Sequence, residues 1–195
     1  VEMMPPDPAR PDAKPVLSLS PAPGDVDILI AAELAEAGRA VLRGFVTPSR
    51  TALIASSHRT LAVSEKIVPG DGRADSGTVL RRAGEASRRF IHFDMETMAK
   101  QAGSVISASL FGALAGSGEL PFSREEFEAT IKAGGKGTEA SLRAFAFAHD
   151  RTAGIVCGLV RNNGIGAFAF LHIDGARFHR LGDAFGLVRQ ECRHL

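Results

Sequence analysis

The stretch VDILIAAELAEAGRAVLRGFVTPSRTALIASSHRT, residues 26–60, contains the strand–helix–strand pattern on which the fold prediction depends. Val26–Ile30 is short, apolar and rich in branched side chains, which is typical of a buried strand. Residues 31–43 predict a helix, because apolar side chains recur on one face and acidic residues precede basic ones. Thr51–Ala55 predicts the next strand. This order favours parallel pairing of the two strands through a helical crossover.

The alternation of strands and helices continues to about residue 149. Apolar spacing and capping residues predict these further elements: a helix over 77–88 opened by Asp75 or Ser76, a strand over Phe90–Phe93, and helices over 95–102, 104–116, 124–133 (opened by a capping box, Ser123 to Glu126) and 138–149. The order of elements predicts an α/β layered fold with a largely parallel sheet.

The predicted helix over 104–116 is rich in small residues. Two interleaved series recur every four residues: Ala108, Gly112 and Gly116, and Ser109, Ala113 and Ser117. A glycine inside a helix costs about 1 kcal/mol relative to alanine. We therefore expect a flat ridge on this helix, along which another backbone packs closely.

The composition of the 195-residue chain indicates one ordinary domain, with or without an appendage. The net charge of +1 favours neither nucleic-acid nor membrane-surface binding. No apolar run approaches the roughly 18 residues that cross a bilayer. Two cysteines are too few for a disulfide framework, so we expect a reduced, cytoplasmic protein. The proline-rich residues 1–24 predict an extended arm with a short edge strand at 16–19.

A small, polar and partly basic segment follows the second predicted strand. It consists of Ser56, Ser57, His58 and Arg59 and is called the tip below. In open α/β sheets, ligands and partners bind beyond such strand ends. Serine and histidine also serve in nucleophilic catalysis, but adjacent residues of an extended chain point to opposite sides. We therefore predict a partner-binding tip with no catalytic residue, and an ordinary solvated loop is the alternative.

Candidate metal ligands occur without the spacing of a metal site. His92, Asp94 and Glu96 alternate at the end of a predicted strand, but a helix is predicted to begin at Met95 and would break the alternation. Acidic residues that cap the next helix explain this pattern better. Four other residues lack the spacing of zinc ligands: Cys157, His179, Cys192 and His194. We expect no metal bound by this chain.

The motif GIGAFA, residues 164–169, partly matches a dinucleotide-binding fingerprint. That fingerprint must open a helix whose N-terminus holds the pyrophosphate. Here AFAFLHI, residues 167–173, alternates like a strand, and IVCGLV, residues 155–160, also predicts a strand. We expect a hairpin turn between the two strands, and nucleotide binding is the alternative.

Six segments in order resemble the β subunits of indolepyruvate:ferredoxin oxidoreductases. They are VEMMP, PVLSL, DVDILIAAELAEAGRAVLRGFVTPSRTALIASSHR, SEK with PGDGRADS, FDMETMAKQAGSVISASLFGALAGSGELPF, and EEFEATIKAGGKGTEASLRAF. These subunits belong to the γ-type domain group of 2-oxoacid:acceptor oxidoreductases. The resemblance covers about residues 1–150, and residues 151–195 form an unassigned C-terminal extension.

The resemblance implies a Rossmann-like three-layer α/β/α fold. It also implies that the complete enzyme oxidatively decarboxylates arylpyruvates to acyl-CoA and passes the electrons to ferredoxin. Thiamine diphosphate and iron–sulfur clusters would belong to the partner α subunit, so this chain would bind no cofactor. The tip would then face that subunit.

The chain departs from the family pattern in three places. Family members begin with a strand and a glycine-rich turn that would lie upstream of Val1, so we expect the first βα unit to be missing. Ser107 stands where the wider group often has asparagine, and the extension after residue 150 has no counterpart. Two alternatives follow: a small nucleotide- or CoA-binding module that uses Gly164 and Gly166, or a non-catalytic degraded paralogue.

Overall fold

The structure, a computed structural model, describes residues 3, 9, 14, 19–59 and 75–162. Residues 160–162 are described through their backbone alone. The strands are β1 (Ile28–Ala31), β2 (Ala52–Ser56) and β3 (Arg89–Phe93). The helices are α1 (Leu34–Leu42), α2 (Ser76–Ala86), α3 (Met95–Gln101), α4 (Ile106–Ser117), α5 (Arg124–Ala133) and α6 (Thr138–Asn162). Strands and helices alternate as predicted, and up to residue 133 the observed ends lie close to the predicted ones.

The described strands form one parallel sheet in the order β1-β2-β3. In this register Leu53 of β2 lies between Leu29 and Phe90, and Ile54 lies between Ile30 and Ile91. All five residues of β2 are buried, and the first four of them are apolar, as expected for a central strand that is covered on both faces. The predicted α/β fold with a parallel sheet is confirmed.

Helices cover both faces of this sheet, because successive side chains of β2 point to opposite sides. On one face Leu53 and Ala55 pack with Ala37 of α1 and Ala83 of α2. On the other face the core consists of residues from β2, β3, α3, α4 and α6: Ile54, Ile91, Met95, Ala113 and Val156. The arrangement is the expected Rossmann-like α/β/α sandwich.

The ridge of small residues on α4 packs directly against the backbone of α6. A Cβ added at Gly112 would lie 2.9 Å from Phe145 Cα and closer still to the Phe145 carbonyl oxygen. At Gly116 it would lie 2.5 Å from the carbonyl oxygen of His149. The contact advances by one turn on both helices together, so α4 and α6 run in the same direction. The predicted close packing is confirmed, with α6 as its partner.

The prediction of a strand at Ile155–Val160 was wrong. These residues continue helix α6, which extends from Thr138 to Asn162 instead of ending at residue 149. A short run of apolar residues does not distinguish a strand from a buried helical segment, and here Val156 packs into the core beneath the sheet. The predicted strand at 167–173, the turn before it and the edge strand at 16–19 lie outside the described residues, apart from Leu19.

Within residues 19–59 and 75–162, no helix has both the length and the apolar character needed to cross a membrane.

Candidate functional site

The tip lies at the carboxyl edge of the sheet, beyond the central strand. Strand β2 ends at Ser56, between the ends of β1 and β3. Helices α1 and α3 begin within a few residues of those neighbouring strand ends, and α2 also begins at this edge. The tip is therefore surrounded by helix N-termini, where backbone N–H groups point outward and the local potential is positive.

Ser56 ties the end of β2 to the start of α3. Its side chain is fully buried, and its Oγ accepts a hydrogen bond of 3.0 Å from the backbone N–H of Met95. The same Oγ lies 2.7 Å from Nδ1 of His58. Ser57 continues the connection, since its N–H donates to the carbonyl oxygen of Phe93 at 2.9 Å. The buried Ser56 hydroxyl is thus suited to holding the tip in place, and its burial leaves no approach for a substrate.

The main chain of His58 supplies a partner for the first turn of α1. The carbonyl oxygen of His58 accepts a hydrogen bond of 3.2 Å from the N–H of Leu34. Glu33, at the N-cap of α1, contributes no side-chain cap. The tip therefore accepts the N–H of Leu34, a group that a capping side chain satisfies in other helices. This hydrogen bond holds the tip next to the start of α1.

Arg59 reaches the start of α2. Its Nη1 donates to Oγ of Ser76 at 3.3 Å. The neighbouring Asp75 caps α2 as predicted and accepts the N–H of Thr78 at 2.7 Å. Hydrogen bonds from Thr78 hold the pKa of Asp75 below its ordinary value, and the charge of Arg59 adds a smaller effect. The guanidinium group gives the tip its positive charge.

Asp94 is the N-cap residue of α3. Its carboxylate accepts the backbone N–H of Thr97 at 2.9 Å and the Thr97 hydroxyl at 2.7 Å. The predicted capping role is confirmed. The same bonds lower the pKa of Asp94, and His58 contributes weakly. The other two residues of the pattern make separate contacts. His92 stacks on Phe90 with ring centroids 4.6 Å apart. Glu96 forms an ion pair with Lys100 at 2.9 Å.

An Asp94→Ala substitution is expected to destabilise the chain by about 1 kcal/mol at pH 7, because it removes the N-cap of α3. Since the folded-state pKa of Asp94 lies below its unfolded value, its contribution is fully present above the unfolded pKa and disappears as the pH falls through the folded one. Urea unfolding of both proteins from pH 7 to pH 2 measures this. Asp94→Asn, which keeps an accepting oxygen, is the control, and a stability difference that stays constant as the pH falls would contradict the explanation.

One contact at the tip was missed by sequence analysis. The rule that adjacent residues of an extended chain point apart does not separate Ser56 from His58, because these two are two residues apart and share a side. The signal was present in the spacing, because residues at i and i+2 of an extended chain lie on one face. The result is a hydrogen-bonded pair that positions the imidazole.

A second cluster of charges lies at the opposite edge of the sheet. Arg88 and Arg89, at the start of β3, pair with Glu119 just beyond α4 at 2.6 and 3.0 Å. The carboxylate of Glu119 is largely buried. These ion pairs hold β3 against the end of α4. They lie at the edge of the sheet where the strands begin, whereas the tip lies at the edge where the strands end.

Comparison with known proteins bears on the region that contains the tip. No curated protein and no solved structure gives a significant match to the chain. The sequence model of one family, pyruvate ferredoxin/flavodoxin oxidoreductase, matches residues 9–150 and so spans the three strands, the tip and the helices as far as the first half of α6. Since this match covers well over half of the 195 residues, the chain belongs to the pyruvate ferredoxin/flavodoxin oxidoreductase family, a family of 2-oxoacid:ferredoxin oxidoreductases.

Proposed function

We propose that the chain is a non-catalytic subunit of a cytoplasmic, thiamine-dependent 2-oxoacid:ferredoxin oxidoreductase that acts on indolepyruvate and related arylpyruvates. The complete enzyme would decarboxylate the 2-oxoacid oxidatively, form an acyl-CoA and reduce ferredoxin. This chain would dock through its tip onto the α subunit, which would carry out the redox chemistry.

The family match over residues 9–150 is the observation that carries this proposal. Domains of this family function in multi-subunit oxidoreductase complexes, which supports a partner subunit. The choice of indolepyruvate rests on the resemblance of residues 1–150 to the β subunits of indolepyruvate oxidoreductases. The parallel sheet supports the location of the docking site, since its carboxyl edge is where such folds bind ligands.

The ligand chemistry of this chain supports placing the iron–sulfur clusters on the partner. A [4Fe–4S] cluster is held by four cysteine thiolates, and the whole sequence contains two cysteines. Among residues 19–59 and 75–162, no group of three or more His, Cys, Asp or Glu side chains is placed to hold a metal ion. The chain therefore does not fit a cluster by itself, and no redox step is assigned to its residues.

The polar groups of the tip suit a protein surface rich in hydrogen-bond acceptors. Arg59 provides a cation, and the carboxylates of Asp75 and Asp94 are occupied by helix capping. Because the anchors from Met95 and Leu34 hold the tip rigidly, it can bind without a large loss of conformational entropy.

Co-purification is the experiment that tests the proposal. The tagged chain is co-expressed with the α subunit, and the complex is assayed for bound iron, sulfide and thiamine diphosphate and for CoA-dependent ferredoxin reduction by indolepyruvate. We expect activity in the complex and none in either chain alone. If no iron–sulfur protein co-purifies, the proposal fails. NAD, FAD or CoA binding in calorimetry that is lost in Gly166→Val would then support the nucleotide-binding alternative.

An Arg59→Ala substitution is expected to weaken association with the α subunit by about tenfold, because one charged hydrogen-bonding group is lost from the docking site. Arg82→Ala, which removes an exposed arginine from the outer surface of α2, is the matched control. Surface plasmon resonance at two salt concentrations measures the affinities. If the two variants lose the same amount of affinity for the α subunit, the tip is not part of the interface.

A further inference from the structure

Cys157, in the second half of α6, is disulfide-bonded in the structure. The structure contains a single chain, and the 195-residue sequence contains two cysteines. Cys192 is therefore the one residue with which Cys157 can form this bond. The sequence analysis predicted reduced cysteines, because two are too few for a disulfide framework. That prediction was wrong for Cys157, since two cysteines are enough for one bond.

The burial of Cys157 agrees with a covered sulfur. Its exposed fraction is 7%, although the two core clusters of the described residues do not include it. Asp150 lies seven residues earlier, which is almost two full turns, so the two residues share a side of α6. The side chain of Asp150 is 60% exposed. The side of α6 that faces solvent at Asp150 is thus covered at Cys157.

We infer that a disulfide between Cys157 and Cys192 fastens the C-terminal extension, residues 163–195, to the end of α6. A disulfide holds its two Cα atoms within about 7 Å of each other. It also stabilises a fold by restricting the unfolded chain, and the effect grows with the length of the loop that it closes. The inference is independent of the proposed function, because both cysteines lie outside residues 9–150, which carry the family match.

The bond makes the attachment of the extension depend on thiol redox conditions. Two thiols each lose a hydrogen atom when the S–S bond forms, and a small disulfide such as oxidised glutathione takes up both electrons and both protons and leaves as two thiols. In the cytoplasm, where glutathione keeps most thiols reduced, such bonds are usually transient or redox-sensing. The extension is then fastened under oxidising conditions and released under reducing ones.

The first test locates the bond in the full 195-residue chain. The protein is equilibrated in glutathione buffers from reducing to oxidising, its free thiols are blocked with N-ethylmaleimide, and tryptic peptides are analysed by mass spectrometry without reduction. We expect two blocked thiols in the reducing buffer. In the oxidising buffer we expect TAGIVCGLVR, residues 152–161, cross-linked to QECR, residues 190–193. Two free thiols, glutathione adducts on both cysteines or cross-linked dimers in the oxidising buffer would each overturn the inference.

The second test measures whether the bond stabilises the fold. The oxidised wild type should unfold at a temperature about 5–10 °C above that of the reduced wild type. Cys192→Ser should unfold at the same temperature in both buffers, close to that of the reduced wild type. Cys157→Ala, which keeps the buried position apolar, should behave in the same way. If the oxidised and reduced wild type unfold together, or if Cys192→Ser keeps the full difference, the extension is not fastened by this bond and the inference is wrong.

Discussion

A Gly112→Ala substitution is expected to lower the free energy of unfolding by about 3 kcal/mol, at the upper end of the range for overpacked cores. The added methyl group would lie 2.9 Å from Phe145 Cα and even closer to the Phe145 carbonyl oxygen. Real Cβ atoms do not approach backbone atoms this closely, and a helical backbone cannot rotate aside as a side chain can. Helix α6 would have to move away from α4 and would open the core beneath the sheet.

Gly154→Ala provides the matched control because Gly154 lies within α6 itself. A Cβ at that position meets no atom within 4 Å. Alanine should therefore raise the free energy of unfolding by about 0.5–1 kcal/mol through its higher helix propensity. Urea unfolding followed by circular dichroism measures both variants. If Gly112→Ala is as stable as the wild type, the close approach of α4 and α6 is wrong.

Local rules were sufficient to predict most of the elements. The burial of β2 on both faces follows from the apolar run Ala52–Ala55. The spacing of Ser123 and Glu126 predicted the capping box of α5, and both of its hydrogen bonds are present. The ridge on α4 could be predicted from glycine spacing alone, because the cost of glycine in a helix requires some compensation. The partner helix could not be named, since nothing local specifies which backbone packs there.

Tertiary packing determined the structure where local sequence patterns were ambiguous. The run Ile155–Val160 suits a strand by composition, but it is helical because Val156 packs against Ile54 and Ile91 on the sheet. Residues 56–59 lie at the carboxyl end of β2, with Ser56 as the last residue of the strand. The anchors of this tip were not predictable, since Ser56 binds the backbone of Met95, which lies 39 positions away in the chain.

A chain that ends at Asp150 is expected to be about 3 kcal/mol less stable than a chain that ends at Asn162. The family match ends at residue 150, but α6 continues for twelve residues beyond it. Those residues include the fully buried Thr152 and the largely buried Val156, which covers Ile54 and Ile91. Loss of one buried aliphatic side chain costs about 2 kcal/mol, and the uncovered neighbours and the shortened helix add to this.

The comparison of the two truncated chains isolates residues 151–162, because both lack residues 163–195. Equilibrium urea unfolding gives the two free energies, and the slope of the transition reports whether the shorter chain also exposes more surface before it unfolds. Val156→Ala in the longer chain should reproduce part of the loss, whereas the exposed Leu159→Ala should reproduce little of it. If the two truncated chains are equally stable, the second half of α6 does not belong to the core, and the structural domain ends where the family match ends. If the shorter chain is destabilised as expected, the structural domain extends beyond the family match to the end of α6.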